Sequence, residues 1–160
     1  MKELLILRHG KSQWPQGVPD RDRPIAERGE RETKKVGRLI KDRDWLPEKV
    51  LSSPARRARE TAEICIAAAG LTDNLLTIEE TLYSGSVSDI LDMLKNFNHL
   101  SRVMIVGHNP TFDILLESLC PDDFSDKYYD KILSTANLAV VNLESESPVL
   151  IDLIKSKKLP

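Results

Sequence analysis

Leu4-Leu5-Ile6-Leu7-Arg8-His9-Gly10 places four apolar residues before two basic ones and a glycine. A short apolar run ended by a turn residue reads as a strand buried on both faces. It delivers a histidine to its carboxyl end. The pattern returns later, where Val103-Met104-Ile105-Val106 runs into Gly107-His108-Asn109-Pro110. In open α/β sheets ligands bind outside the carboxyl ends of the strands. Two histidines with arginines beside them at that edge suggest a site for a phosphoryl group.

Working outward, the segment from Lys11 to Arg23 holds Pro15, Gly17, Pro19 and several charges. It reads as a loop, long enough to carry function. Val36, Leu39 and Ile40 predict a helix from about Glu27 to Asp42, weakened by Gly29 and Gly37. Lys49–Ser52 is a short strand. Ser53-Pro54 is expected to start the next helix, with a serine cap and a proline in the first turn. Ala58, Thr61, Ala62, Cys65 and Ala69 form its apolar stripe, and Gly70 stops it.

Further along, Leu75–Ile78 is a weak strand, and Val87, Ile90, Leu91 and Leu94 mark a third helix. After the strand Arg102–Val106, Pro110 opens a fourth helix with the stripe Phe112, Leu115, Leu116 and Leu119, ended at Pro121. The polar segment Asp122–Ser134 carries no clear period. Asn137–Leu143 and Pro148–Ile154 read as two strands joined by a turn. Strands alternating with helices argue for a three-layer α/β/α arrangement around a central, mostly parallel mixed sheet. The last two strands would form an antiparallel edge.

The chain has 160 residues, enough for one domain with a real core. We therefore expect residues 1–160 to form one domain, and a monomer. A 41% apolar fraction, 30% charged residues and a net charge of −2 are those of an ordinary globular protein. Nothing in that balance favours bulk attraction to nucleic acid or to an anionic membrane. The first apolar run is too short for a signal peptide, and no run approaches a membrane span. Cys65 and Cys120 form no metal or redox spacing, so reduced thiols and a cytoplasmic location are expected.

Phosphoryl transfer without a metal needs an in-line nucleophile and donors for three equatorial oxygens. A neutral imidazole can attack at neutral pH, since its ordinary pKa is about 6.5. Arginine grips two phosphate oxygens with one planar fork. His9 with Arg8 fits this need, and Gly10 would let the backbone approach an anion closely. A structural histidine is the plain alternative for His9 alone, and His108 in a matching position counts against it. Ser53-Pro54-Ala55-Arg56-Arg57-Ala58-Arg59-Glu60-Thr61 adds three arginines to the first turns of a helix. Arg57 and Thr61 share one face. A basic first turn opposes the helix dipole, which points to a functional use.

Four blocks together resemble the histidine phosphatase superfamily, which includes phosphoglycerate mutases and acid phosphatases. They are Leu7–Ser12, Asp22–Gly29, Ser52–Thr61 and Val106–Pro110. The resemblance is strongest to the small SixA-type phosphohistidine phosphatases and implies a phosphoglycerate mutase-like fold. It implies that His9 is the phosphorylated nucleophile and that Arg8, Arg57 and His108 complete the phosphate pocket. Arg23 matches an additional arginine near the site. Ala26 stands where the family usually has a Thr or Asn cap. Larger members place a carboxylic acid after the third strand, where Glu80 is the nearest candidate for a general acid. Its plain alternative is a solvated surface carboxylate. His99 matches nothing and reads as surface.

The resemblance further implies a phosphatase acting through phosphohistidine on His9, with no metal and no cofactor. A phosphoprotein carrying phosphohistidine is the expected substrate. Two alternatives stay open: a phosphatase of a small phosphorylated metabolite, and a phosphate-binding regulatory module without turnover.

Overall fold

The computed structural model describes residues 1–124 and 131–160. Part of the polar segment Asp122–Ser134 therefore lies outside the described residues. Six strands form one sheet in the order β3-β2-β4-β1-β5-β6. They are β1 (Glu3–Arg8), β2 (Lys49–Ser52), β3 (Leu76–Ile78), β4 (Arg102–Gly107), β5 (Leu138–Asn142) and β6 (Val149–Ile154). The first four run parallel. β5 pairs antiparallel with β1, and β6 antiparallel with β5. The two histidine-bearing strands are direct neighbours, with Leu7 opposite Val106 and Arg8 opposite Gly107. This register sets His9 and His108 side by side.

The central strands are apolar on both faces because helices cover both. α1 (Glu27–Asp42) and α2 (Arg56–Ala68) lie on one side. Val36, Ile40, Ala62, Cys65 and Ile66 pack there against Leu5, Leu7, Val50, Met104 and Val106. α4 (Val87–Leu94) and α5 (Thr111–Leu119) lie on the other. Ile90, Leu94, Phe112, Leu115 and Leu116 pack there against Leu4, Ile6, Leu51, Val103 and Ile105. The odd and even residues of β1 thus feed separate cores, as strand alternation requires. Burying such side chains contributes about 1.5–3 kcal/mol each.

Some local expectations need correction. α2 begins at Arg56, after a turn, and Ala55 at its cap position makes no side-chain cap bond. Ser53 instead accepts the Ala55 N–H at 3.1 Å inside that turn. Arg56 and Arg59 face outward and pair with Glu60 and Glu63, which leaves Arg57 as the buried arginine of the three. Pro121 does not simply end the helical region but starts a further turn, α6 (Pro121–Phe124), whose Phe124 is buried. A one-turn helix, α3 (Thr81–Ser84), follows β3 and has no sequence period long enough to reveal it. The Lys11–Arg23 loop carries a short 3₁₀ turn at Asp20–Asp22 and is pinned by a bridge between Ser12 and Ile25.

Gly10 also has a packing role that the sequence did not show. A Cβ there would meet Ile25 Cδ1 at 2.9 Å, Gly29 O at 3.0 Å and Thr33 Oγ1 at 3.0 Å. The missing side chain therefore serves close packing against Ile25 and α1.

Candidate functional site

The site lies where β1, β2 and β4 end together. His9 leaves β1 and is 8% exposed. Its Nδ1 lies 2.8 Å from the Gly10 carbonyl, which can only accept. Nδ1 therefore carries the proton, and Nε2 keeps a lone pair for attack. Gly10 is itself held from below, because its N–H donates to Thr61 Oγ1 at 2.9 Å. Thr61 is fully buried on α2 and donates back to the Arg57 carbonyl at 2.6 Å. One helix turn thus fixes both the loop that orients His9 and the residue that carries Arg57.

His108 leaves β4, with its ring centroid 5.2 Å from that of His9. Arg57 Nη2 donates toward His108 Nδ1 at 3.3 Å, so that nitrogen accepts. His108 Nε2 then holds the proton and donates to Ser53 Oγ at 2.8 Å. Both rings are neutral. Burial pushes His9 down to about 3; the Gly10 hydrogen bond works against this, while the neighbouring His108 ring, which would have to share the site with a second cation, and the positive charges of Arg57 and Arg8 add to it. Burial, then Arg57, pushes His108 down to about 4, against an opposing pull from Asp20.

Arg8 sits between the sheet edge and the segment that enters β5. Its Nη1 donates to the Leu133 carbonyl at 2.9 Å. That carbonyl is held by a second strap. Asn109 Nδ2 also donates to it at 2.9 Å, and Asp113 accepts the N–H groups of Ile132 and Leu133, each at 3.0 Å. Burial lowers the Arg8 pKa, partly offset by Asp113. Among the described residues, Nε of Arg8 and Nε of Arg57 are buried without a hydrogen-bond partner. Two arginines converging with donor capacity unused suit a multivalent oxyanion.

Arg23 joins this group. It is 6% exposed, stacks over Trp14 with its guanidinium carbon 3.5 Å from the ring centre, and donates to Ser12 Oγ at 2.7 Å. It reaches the site through Asp20. Arg23 Nε donates to Asp20 Oδ1 at 3.1 Å, and Arg57 Nη2 donates to Asp20 Oδ2 at 3.1 Å. Arg57 Nη1 donates to the Asp20 carbonyl at 2.8 Å, and the Tyr83 hydroxyl donates to Oδ2 at 2.8 Å. Partial burial opposes ionisation of Asp20. The bonds from Tyr83, Arg23 and Arg57 outweigh it and hold the carboxyl at about 2. The Tyr83 ring stands edge-on to His108, with centroids 5.5 Å apart.

Of the residues singled out from the sequence, His9, Arg8, Arg57 and His108 converge, and Arg23 joins them through Asp20. Glu80 is placed differently. It is exposed and takes both terminal nitrogens of Arg21, at 2.6 and 3.0 Å. The Arg21 hydrogen bonds hold its carboxyl below the usual range. His99 is exposed, away from the site elements. Sequence reasoning missed Asp20, Tyr83 and the partnership of Ser53 with His108. The only available signal for Asp20 was an acidic residue inside a long loop just before Arg23. Among the described residues, no group of three or more His, Cys, Asp or Glu side chains is placed to hold a metal ion. No helix among them is long and apolar enough to cross a membrane.

Comparisons with known proteins bear on this geometry. The profile of the histidine phosphatase superfamily (branch 1) matches residues 4–82, which carry His9, Arg23 and Arg57. An uncharacterized chloroplastic protein of Arabidopsis thaliana is 30% identical over 118 residues, covering 68% of this chain and 54% of that protein. The chain thus spans about half the length of that relative. An uncharacterized protein of Mycobacterium leprae is 30% identical, covering 91% of this chain and 96% of its own length. Among solved structures, a candidate phosphohistidine phosphatase SixA from Agrobacterium tumefaciens superposes with a TM-score of 0.84 at 29% identity, covering 96% of this chain and 97% of that one. An α-ribazole phosphatase from Shigella flexneri shares the fold, with a TM-score of 0.73 at 15% identity, covering 96% of each chain. With two strand-end histidines, converging arginines and these likenesses in agreement, the chain belongs to the histidine phosphatase superfamily, branch 1.

Proposed function

We propose that the protein is a phosphatase that works through a phosphohistidine on His9, and that its substrate is phosphohistidine in a protein. The observation that carries this reading is the state of His9. Its Nδ1–H is committed to the Gly10 carbonyl at 2.8 Å, while Nε2 remains a neutral nucleophile beside Arg8, Arg57 and His108. In the first step Nε2 attacks phosphorus in line. The new N–P bond forms as the substrate's P–N bond breaks, and a ring protonated on its other nitrogen leaves as neutral imidazole. Arg8 and Arg57 stabilise charge on the equatorial oxygens.

In the second step water attacks phosphorus. Phosphorylated His9 keeps its Nδ1 proton on Gly10 and is therefore cationic. It departs neutral, and dihydrogen phosphate leaves. Neither step routes a proton through Glu80, whose carboxylate is engaged by Arg21. That favours a nitrogen leaving group over an alkoxide, which needs a proton donor. The fold likeness to an α-ribazole phosphatase keeps a small phosphate ester as the second reading.

The test is phosphate release from a phosphohistidine protein, p-nitrophenyl phosphate and several sugar phosphates, with no metal added. Preference for phosphohistidine, abolished in His9→Ala, supports the reading. Preference for a small ester moves the substrate class. Phosphate binding with no release from any substrate points to a regulatory module.

A further inference from the structure

A carboxylate is an unexpected neighbour for a pocket that takes a phosphoryl dianion. Asp20 sits against Arg57, the arginine that also touches His108, and reaches Tyr83, whose ring edges His108. It is not a loose surface group. Its two carboxylate oxygens and its backbone carbonyl accept four bonds, from Arg23, Tyr83 and both terminal nitrogens of Arg57. Its side chain is still 49% exposed, so part of the carboxylate remains open to a ligand. The surface beyond Tyr83 carries further carboxylates, two of them paired with cations: Glu80 with Arg21 and Asp92 with Lys95. An open groove of about 590 Å³ there is lined by Glu79, Glu80, Asp89 and Asp92.

An ester phosphate entering this pocket brings only negative charge past Asp20. A protonated phosphoramidate brings a positive nitrogen heterocycle or ammonium next to its phosphoryl group. We propose that Asp20 is a specificity-determining residue that binds the cationic leaving group of a phosphoramidate, selecting P–N substrates over phosphate esters. This rests on the proposed phosphatase activity and names how its substrate class is chosen. The carboxylate accepts the ring N–H of protonated phosphohistidine while Arg57 holds the phosphoryl oxygens. It thereby favours the protonated ring, which is the form that leaves as neutral imidazole when its P–N bond breaks. Charge-assisted hydrogen bonds of this kind are stronger than neutral ones.

The test compares the wild type with Asp20→Asn on three substrates: phosphohistidine, phospholysine and p-nitrophenyl phosphate. The kcat/KM ratio of each phosphoramidate to the ester should fall about tenfold in the variant, equivalent to about 1.4 kcal/mol. The alkaline limb of phosphohistidine turnover should also move to lower pH, because the ring is no longer held protonated. Equal losses on all three substrates would overturn the proposal and make Asp20 a positioning residue for Arg57. Equal gains on all three would overturn it too and make Asp20 a plug that competes with phosphate. If the wild type ignores phosphohistidine, the proposed substrate fails separately. The phospholysine-to-ester ratio still decides the role of Asp20.

Discussion

Removing the Thr61 hydroxyl should damage both stability and catalysis. Thr61→Val keeps the side chain's shape and deletes one acceptor. That acceptor serves the buried Gly10 N–H at 2.9 Å, and Thr61 is 0% exposed, so water cannot replace it without opening the β1–α2 contact. The Arg57 carbonyl also loses a bond, but it lies inside the ladder of α2. The main cost is therefore one buried unsatisfied donor, about 1–3 kcal/mol. At about 2–4 °C per kcal/mol for a chain of this size, the melting temperature should drop by about 4–8 °C for a mid-range cost. Gly10 also accepts the His9 Nδ1 proton, so a loosened Gly10 loosens the nucleophile. If about 1.4 kcal/mol of the loss reaches the transition state, kcat falls about tenfold. Calorimetry and kcat on p-nitrophenyl phosphate read both effects, with Thr61→Ser as the control that keeps the hydroxyl. A Val variant with wild-type melting temperature and kcat would refute the claim that Thr61 holds the nucleophile's turn.

Other perturbations have definite expected outcomes. His9 and His108 sit at about 3 and 4 in the folded protein, below the ordinary imidazole value of about 6.5. Between those limits the unfolded chain binds more protons, so the melting temperature should fall steadily on acidification from about pH 6.5 to 4. The acid limb of kcat/KM should lie well below about pH 6.5, because His9 remains neutral there. Asp113→Ala removes the acceptor for the Ile132 and Leu133 N–H groups and releases the carbonyl that holds Arg8. Inhibition by inorganic phosphate should weaken about tenfold, read as Ki, with charge-assisted bonds of about 1.5–3 kcal/mol at stake. In Gly29→Ala the new Cβ would stand 2.4 Å from the Lys11 carbonyl oxygen and 2.7 Å from its nitrogen, both backbone atoms. Urea unfolding should show a loss of about 1–3 kcal/mol from overpacking.

The parts of this protein that the sequence determines are those written in short-range patterns. The apolar runs Leu4–Leu7 and Val103–Val106 specify buried strands, since a strand covered on both faces needs no alternation. The stripe Val36, Leu39, Ile40 specifies α1, whose observed span is Glu27–Asp42. Because each histidine directly follows its strand, strand placement alone brings His9 and His108 to one edge. The tertiary structure decides what those residues can do. Thr61 is 51 positions from Gly10, Ser53 is 55 from His108, and Leu133 is 125 from Arg8. No local period encodes such pairs, because they arise from packing elements that are independent in sequence. Asp20 is the clearest case. In the chain it is one acid in a charged loop; only folding sets it between Arg23, Arg57 and Tyr83, where its charge bears on the chemistry.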